Sequence, residues 1–160
     1  MIRVLALGGG VVLLDQITKA VALAYLAPGV HVHVVPGFVA LTLVMNPGLA
    51  FGILGTVPAG WRWIVAVLSL TALVVLARVA LRILPEGRGL DHVAVGLIFG
   101  GAVGNLIDRL RFGAVVDFVD LHVKSYHWPA FNVADASITI GVTLLALRLM
   151  ARPAASDAPR

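Results

Sequence analysis

Four long apolar segments alternate with shorter polar stretches along this chain of 160 residues. They run from about Val4 to Leu26, Trp61 to Leu81, His92 to Leu110 and Phe131 to Met150. A helix that crosses a membrane needs about 20 predominantly apolar residues, and each segment is close to that length. The pattern therefore predicts an all-α membrane protein with four transmembrane helices.

A different pattern fills residues 30–57, between the first two apolar segments. Residues 31–35 alternate polar and apolar, Pro36-Gly37 is a turn signal, and residues 38–44 are rich in strand-forming side chains. These features predict a small extracytoplasmic β-sheet of two or more short strands between helices 1 and 2. Residues 111–130 are too polar to span a membrane, and we expect a loop at the interface that contains at most a short helix.

The composition agrees with a lipid environment. Hydrophobic residues make up 60% of the chain and charged residues only 12%, against about 45–50% and about 25% in soluble domains. The length fits one domain, which we place at residues 1–152, with a disordered tail at 153–160. The chain has no cysteine, which excludes disulfides, thiolate metal sites and a cysteine nucleophile.

The net charge of +4 is explained by membrane topology, because no basic patch interleaved with aromatic residues indicates nucleic-acid binding. With four spans both termini lie on one side of the membrane. That side holds the larger share of the basic residues, namely Arg3, Arg78, Arg82, Arg88, Arg148, Arg152 and Arg160. The positive-inside rule then places both termini in the cytoplasm, and the sheet and residues 111–130 on the outer side.

The histidines show no metal-ligand spacing joined to a carboxylate. They are His31, His33, His92, His122 and His127. We predict structural or surface roles for them, and no metal or other cofactor.

Several polar residues near the ends of the apolar segments need an explanation, because a charged side chain in a span costs roughly 2.5–3.5 kcal/mol on insertion scales. Asp15 and Lys19 are four apart on one helix face and can pair. The pair either stabilises the helix bundle alone or also orders residues around a site. Asn105 and Arg109 share a face in the same way and offer hydrogen-bond donors. Alternatively, Asp108-Arg109 only marks a helix end that meets water.

Two aspartates near the outer ends of segments three and four are the candidate catalytic pair. Asp117 lies among apolar residues, which would raise its pKa by desolvation, and Asp135 lies at the start of segment four. If the segments are neighbours, the two carboxyls share a site where one keeps its proton while the other is charged. Such a pair suits amide hydrolysis. The alternative is a loop aspartate and a helix aspartate that are each held by local amides.

Five short motifs, taken in chain order, resemble those of the bacterial lipoprotein signal peptidases, also called signal peptidase II. They are Asp15-Gln16-Ile17-Thr18-Lys19, Asn46-x-Gly48-x-Ala50-Phe51, Gly101-x-x-Gly104-Asn105-x-x-Asp108-Arg109, Val116-Asp117-Phe118 and Phe131-Asn132-x-Ala134-Asp135. Each motif alone has low specificity, and Asn46-Pro47-Gly48 by itself indicates only a turn. Together, in this order on four spans, they are highly specific and cover nearly the whole chain.

The resemblance implies a membrane aspartic endopeptidase of the bacterial inner membrane. Such enzymes remove the signal peptide of prolipoproteins by cutting just before a cysteine that carries a diacylglyceryl group. The resemblance also implies that Asp117 and Asp135 are the catalytic dyad. Other motif residues would orient the dyad and the substrate or support the site: Asn105, Arg109, Asn132, Asp15, Lys19, Asn46, Gly48, Ala134, Gly104 and Asp108.

The implied partners are diacylglyceryl-modified prolipoproteins and membrane lipids, and we expect a monomer. A site at the interface would receive acyl chains laterally from the bilayer. Two positions depart from the family pattern. Met45 stands where many relatives have a basic residue, and Leu49 where a smaller residue is common. We expect these departures to affect how the outer loop closes over the substrate.

Two alternative hypotheses remain at this point. One is a small proton-coupled transporter in which Asp15, Asp117 and Asp135 relay protons. Transporters usually bind near the middle of the membrane and often contain internal repeats, whereas these aspartates lie towards one side and no repeat is visible. The other is a non-catalytic membrane scaffold, in which replacing either dyad aspartate with Asn would alter only stability.

Overall fold

Four helices and four strands form the part of the chain that the computed structural model describes, which is residues 1–48, 60, 62–87 and 89–151. The helices are α1 (Ile2–Tyr25), α2 (Arg62–Ile83), α3 (Gly89–Phe112) and α4 (Val133–Met150), and a short 3-10 helix (Leu84–Glu86) lies between α2 and α3. The strands are β1 (Val32–Val35), β2 (Val39–Asn46), β3 (Val115–Val123) and β4 (Tyr126–His127). Each predicted apolar segment thus corresponds to one helix.

The ends of the helices next to the candidate site are set by local hydrogen bonds. At the start of α4 the backbone N–H of Asp135 donates to Oδ1 of Asn132 (2.9 Å), and the N–H of Asn132 donates back to Oδ2 of Asp135 (3.3 Å). This reciprocal pair is a capping box, and it explains why α4 begins after the predicted Phe131. At the C-terminal end of α3, Gly113 has φ 68° and its N–H donates to the carbonyl of Arg109 (3.0 Å). A glycine in this conformation ends the helix and turns the chain into β3.

Helix α3 is the centre of the bundle and packs against α1, α2 and α4. Glycines allow the closest approaches. A Cβ atom on Gly100 would lie 2.6 Å from the carbonyl oxygen of Gly8 in α1, and one on Gly141 of α4 would lie 2.7 Å from the carbonyl oxygen of Ala94. Small residues at such crossings let helix backbones pack tightly inside a membrane.

Three of the described helices are long and apolar enough to cross a membrane: Ile2–Tyr25, Trp63–Arg82 and Gly89–Phe112. Only 11% of the apolar stretch of α2 is buried inside the protein. Its apolar side chains therefore face outward, as contact with lipid would require. The total of four spans stays a prediction.

The four strands form one antiparallel sheet in the order β1-β2-β3-β4. The predicted turn between the first two strands is confirmed, since Gly37 has φ 79° and the N–H of Phe38 donates to the carbonyl of Val35 (3.0 Å). The register of β2 and β3 places Val44 opposite Asp117 and Ala40 opposite Asp120.

The prediction of a loop or short helix across residues 111–130 is wrong, because this stretch contains β3 and β4. The sheet is therefore not confined to the segment between helices 1 and 2. The polar residues of this stretch indicate an exposed loop, but Asp117, Asp120 and His122 of β3 are all buried. The predictions for Leu49, Ala50, Phe51 and the tail at 153–160 concern residues outside the described ranges.

Candidate active site

The two predicted catalytic aspartates lie in the same cavity, which has a volume of about 430 Å³. Asp117 comes from β3 and is only 2% exposed, and Asp135 comes from the first turn of α4. The cavity is polar around these carboxylates and apolar elsewhere. Its apolar residues include Leu121, Trp128, Phe131, Ile138 and Ile140.

Three asparagines hold the two carboxylates. Asp117 accepts hydrogen bonds from Nδ2 of Asn132 (2.7 Å) and Nδ2 of Asn46 (3.0 Å). Asp135 accepts hydrogen bonds from Nδ2 of Asn105 (2.8 Å) and the backbone N–H of Asn132 (3.3 Å). Asn132 therefore contacts both acids, and the pairing predicted from the sequence is present in the structure.

The pKa of Asp117 is raised to about 7, mainly by burial and in addition by the negative charge of Asp135. The amide donors of Asn46 and Asn132 and the positive charge of Lys19 act in the opposite direction. A carboxyl group with a pKa near neutrality can hold or release a proton at the pH of a cell. The pair can thus contain one acid and one carboxylate at the same time.

A buried charge cluster lies directly behind the dyad. Lys19 donates to Asp15 and to Asp108 at 2.8 Å each, and all three side chains are at most 2% exposed. The pairing of Asp15 with Lys19 that the sequence predicts is confirmed. Nζ of Lys19 also donates to Oδ1 of Asn105 (3.0 Å). This bond fixes the orientation of the Asn105 amide, so that its Nδ2 atom faces Asp135.

The two aspartates of the charge cluster also hold the backbone beside each dyad aspartate. Oδ1 of Asp15 accepts the N–H of Ala134 (2.9 Å), the residue just before Asp135. Oδ2 of Asp108 accepts the N–H of Val116 (3.0 Å), the residue just before Asp117. Lys19 therefore connects the anchors of both acids, and it links α1 to α3, α4 and β3.

Gly104 and Ala134 are small because the elements around Asp15 approach closely. A Cβ atom on Gly104 would lie 2.5 Å from Oδ2 of Asp15 and 3.5 Å from the Cβ atom of Ala134. Ala134 itself has no exposed surface. A larger residue at either position would push Asp15 or the first turn of α4 out of place.

Gln16 is a supporting residue that the sequence analysis missed. Its Nε2 atom donates to Oδ1 of Asp108 (3.0 Å) and lies 3.3 Å from the carbonyl oxygen of Gly104 and 3.2 Å from Oδ2 of Asp15. Gln16 belongs to the first of the five motifs, but no role was predicted for it. An amide side chain within an apolar segment was the available signal, because a buried amide needs partners.

Arg109 and Asn46 hold the turn that follows β2. Nη2 of Arg109 donates to the carbonyl of Gly48 (3.0 Å) and Nη1 to the carbonyl of Asn105 (3.3 Å). The N–H of Gly48 donates to Oδ1 of Asn46 (3.0 Å), which leaves Nδ2 of Asn46 to face Asp117. The buried Nε atom of Arg109 has no hydrogen-bond partner among the described residues. Met45, one of the two departures from the family pattern, is 42% exposed and pairs with Val116 across the strands.

Two carboxylates share one cavity, Asp117 buried with a pKa near 7 and Asp135 partly buried. This is the arrangement of an aspartic-type hydrolase. Comparison with known proteins makes the class specific. Residues 7–151 match the sequence model of the peptidase A8 family, described as signal peptidase (SPase) II. The chain therefore belongs to the signal peptidase II family.

Similar proteins agree with this membership. The lipoprotein signal peptidase of Polynucleobacter necessarius is 42% identical over 146 residues, covering 91% of this chain and 87% of that protein. The lipoprotein signal peptidases of Oleidesulfovibrio alaskensis and Burkholderia mallei are both 44% identical, over 86% and 84% of this chain and 87% and 80% of theirs. The transporter hypothesis finds no support in these matches.

Solved structures show the same fold. One, described as a bacterial membrane enzyme solved by the in meso method at 2.3 Å resolution, superposes with a TM-score of 0.76 and 32% identity, over 98% of this chain and 93% of that chain. A second with the same description, at 1.9 Å resolution, has a TM-score of 0.74 and 31% identity, over 94% of each chain.

Proposed function

We propose that this protein cleaves the signal peptide from diacylglyceryl-modified prolipoproteins just before the lipid-bearing cysteine, with Asp117 and Asp135 as the catalytic dyad. The observation that carries this proposal is that Asn132 binds both carboxylates at the polar end of a largely apolar cavity. Family membership supports the reaction, and the geometry supports the assignment of the two residues.

In the proposed mechanism the two acids carry a single proton between them. The ionised carboxylate takes a proton from a water molecule as the water oxygen attacks the scissile carbonyl carbon. The protonated partner donates its proton to the carbonyl oxygen, and a neutral tetrahedral diol results. The carbon–nitrogen bond then breaks as the leaving amine takes a proton from the first acid. The hydroxyl proton of the diol returns to the second acid.

The supporting residues have separate roles in this proposal. Asn105, Asn132 and Asn46 orient the carboxylates through the hydrogen bonds described above. Arg109 lines the cavity, where it would orient the substrate backbone, and its Nη2 atom holds the carbonyl of Gly48 in the turn after β2. Asp15, Lys19 and Asp108 fix the backbone on which the dyad depends, and Gly104 and Ala134 provide the room for them.

The apolar part of the cavity fits the lipid portion of the substrate. Ile138 and Ile140 lie on α4 and line the cavity, and Ile140 is 53% exposed on the outside of the protein. The cavity is therefore bordered by a helix face that lipid would cover. Acyl chains would enter laterally from the bilayer, while the peptide backbone reaches the dyad from the side of the sheet.

We further propose four spans in a bacterial inner membrane, with both termini in the cytoplasm, the sheet on the outer side, and one monomeric peptidase domain over residues 1–152. Asn105 and Arg109 lie near the end of α3, and Asp135 lies at the start of α4. The site is therefore at a single end of the bundle. The larger share of basic residues, which includes Arg3, Arg78 and Arg148, favours the other end as cytoplasmic.

The test is cleavage by purified protein in detergent, with the product masses measured. A diacylglyceryl-modified prolipoprotein is compared with the same protein that lacks the lipid and with a variant whose cysteine is replaced by serine. We expect cleavage of the modified substrate alone, just before the modified cysteine. Equal cleavage of all three substrates would overturn the proposed specificity, and no cleavage by folded enzyme would overturn the proposed function.

A further inference from the structure

Three histidines surround one buried carboxylate at a second place in the sheet. Oδ2 of Asp120 lies 2.9 Å from Nδ1 of His127, 3.3 Å from Nδ1 of His31 and 3.6 Å from Nδ1 of His122. Asp120 is 3% exposed and His122 is 8% exposed, whereas His31 and His127 are partly open to solvent. We call these four residues the histidine cluster.

One histidine of the histidine cluster has a buried ring nitrogen without a hydrogen-bond partner among the described residues. His127 is within hydrogen-bond distance of both oxygens of Asp120, at 3.0 and 2.9 Å. Nδ1 of His122 is buried and has no hydrogen-bond partner in the described part of the chain. Its distance of 3.6 Å from Asp120 is too long for a hydrogen bond. A buried polar atom without a partner needs an explanation.

We propose that the histidine cluster binds a divalent first-row transition ion of the Zn²⁺ type, through the carboxylate of Asp120 and the Nδ1 atoms of His122, His127 and His31. Ligand atoms of Asp120, His122 and His127 all lie within 4.8 Å of one another. Zn²⁺ binds imidazole nitrogen and carboxylate oxygen at about 2.0–2.2 Å, so neighbouring ligands of a tetrahedral ion are about 3.4 Å apart. The distances of 2.9, 3.3 and 3.6 Å from Asp120 are close to that separation.

The chemistry of the ligands selects the kind of ion. Imidazole suits Zn²⁺, Cu²⁺ and Ni²⁺, whereas Mg²⁺ and Ca²⁺ prefer sites made of oxygen atoms. A cluster of three imidazoles and one carboxylate therefore favours the first group. The sequence predicted no metal site, and spacing along the chain could not reveal one, because the ligands come from β3, from β4 and from the residue before β1.

The architecture of the sheet explains how these residues meet. Asp120 and His122 are two apart on β3 and thus share a face, and His127 of β4 is paired with His122. Ala40 of β2 pairs with both His33 and Asp120. Its small side chain leaves room for residues near β1 to reach across β2. A bound ion would tie the segment before β1 to β3 and β4.

The histidine cluster is separate from the dyad, so its test does not depend on peptidase activity. Asp117 and Asp120 are three residues apart on β3 and therefore project from opposite faces of the strand. His31 and His127 are partly exposed, which allows their replacement without loss of the core.

The experiment uses the full chain in lipid nanodiscs, purified with a tag that lacks histidine and stripped with a chelator. Zn²⁺ binding is measured by competition with a chromogenic chelator, in the presence and absence of excess Mg²⁺. We expect about one Zn²⁺ per chain, unaffected by Mg²⁺, and binding at least about tenfold weaker in His122→Ala and in His127→Ala. His92→Gln, which changes a histidine of α3, should bind like the wild type.

A thermal melt of each variant shows whether it is folded. Wild-type affinity in folded His127→Ala and His122→Ala would overturn the proposal, and so would the absence of stoichiometric Zn²⁺ binding by folded wild type. A rise in melting temperature with Zn²⁺ in the wild type alone would support it.

Discussion

Replacing Lys19 with Met tests whether the charge cluster behind the dyad supports it. Met keeps most of the side-chain volume and removes the ammonium group. That group lies 2.8 Å from both Asp15 and Asp108 and 3.0 Å from Oδ1 of Asn105. The substitution leaves two buried carboxylates without this counter-ion. It also removes one of the two donors to Oδ1 of Asn105, the other being Nδ2 of Asn132 at 3.3 Å.

The expected cost follows from the burial of these groups. Lys19 is 2% exposed and its two partners have no exposed surface. Removing one partner of a buried ion pair costs roughly 3–5 kcal/mol, because the other charge is left uncompensated. Here two carboxylates lose the same partner, so we expect a loss near the upper end of that range. Peptidase activity should also fall, since the Asn105 amide that binds Asp135 is held less firmly without Lys19.

Equilibrium unfolding by SDS titration in mixed micelles measures the loss in stability, and Lys124→Met is the matched control because Lys124 is exposed. Adding Asp108→Asn to Lys19→Met removes one of the orphaned charges, and we expect the double variant to recover part of the lost stability. A loss of stability below about 1 kcal/mol in Lys19→Met, the size expected of an exposed ion pair, would show that the charge cluster does not support the dyad.

Three further predictions follow from the geometry of the site. Gly104→Ala places a Cβ atom 2.5 Å from Oδ2 of Asp15 and should cost about 1–3 kcal/mol of stability by overpacking. Its control is Gly10→Ala, whose added Cβ atom meets nothing within 4 Å. Equal melting temperatures of the two variants would contradict the prediction. The pKa of Asp117 is raised, mainly by burial, from 3.8 to about 7. Between about pH 4 and 7 the folded protein therefore keeps a proton on this group that the unfolded chain has released. The contribution of Asp117 to stability thus decreases as the pH rises from about 4 to 7. Activity should decline above about pH 7 as the proton of the dyad is lost, and a rate that is flat up to about pH 9 would contradict this. Asn132→Ala removes the side-chain bond to Asp117 and the cap of α4. We expect a loss of about 0.5–2 kcal/mol in stability and a fall of up to about 100-fold in kcat, because the carboxylates are misplaced. A kcat equal to that of the wild type would count against the role of Asn132.

Local patterns in the sequence were enough to predict the helices and the first two strands. Each apolar segment is long enough to form one helix, and Pro36-Gly37 separates two strand-forming stretches. The spacing of four residues also predicted that Asp15 would pair with Lys19, because helix geometry alone brings them together.

The second half of the sheet could not be predicted in this way. Asp117, Asp120 and His122 made β3 resemble a solvated loop, yet each is buried. Asp117 is held by a partner that lies far away in the chain, Asn46 of β2. Asp120 is surrounded by the three histidines of the histidine cluster. Local polarity indicates exposure only where no distant partner satisfies the polar group. The same reason hid the role of Gln16, whose partner Asp108 lies on another helix.

The proposed mechanism requires that Asp117 and Asp135 together carry out the cleavage. Its most direct test is single-turnover cleavage of a diacylglyceryl-modified prolipoprotein by Asp117→Asn and by Asp135→Asn, each shown to be folded by thermal melt. Asp91→Asn is the matched control, since Asp91 is a buried aspartate of α3 that pairs with Arg148 instead of the dyad. We predict that each dyad variant loses activity by about 10²–10⁴-fold, while the control cleaves close to the wild-type rate. Cleavage near the wild-type rate by either folded dyad variant would contradict the assignment.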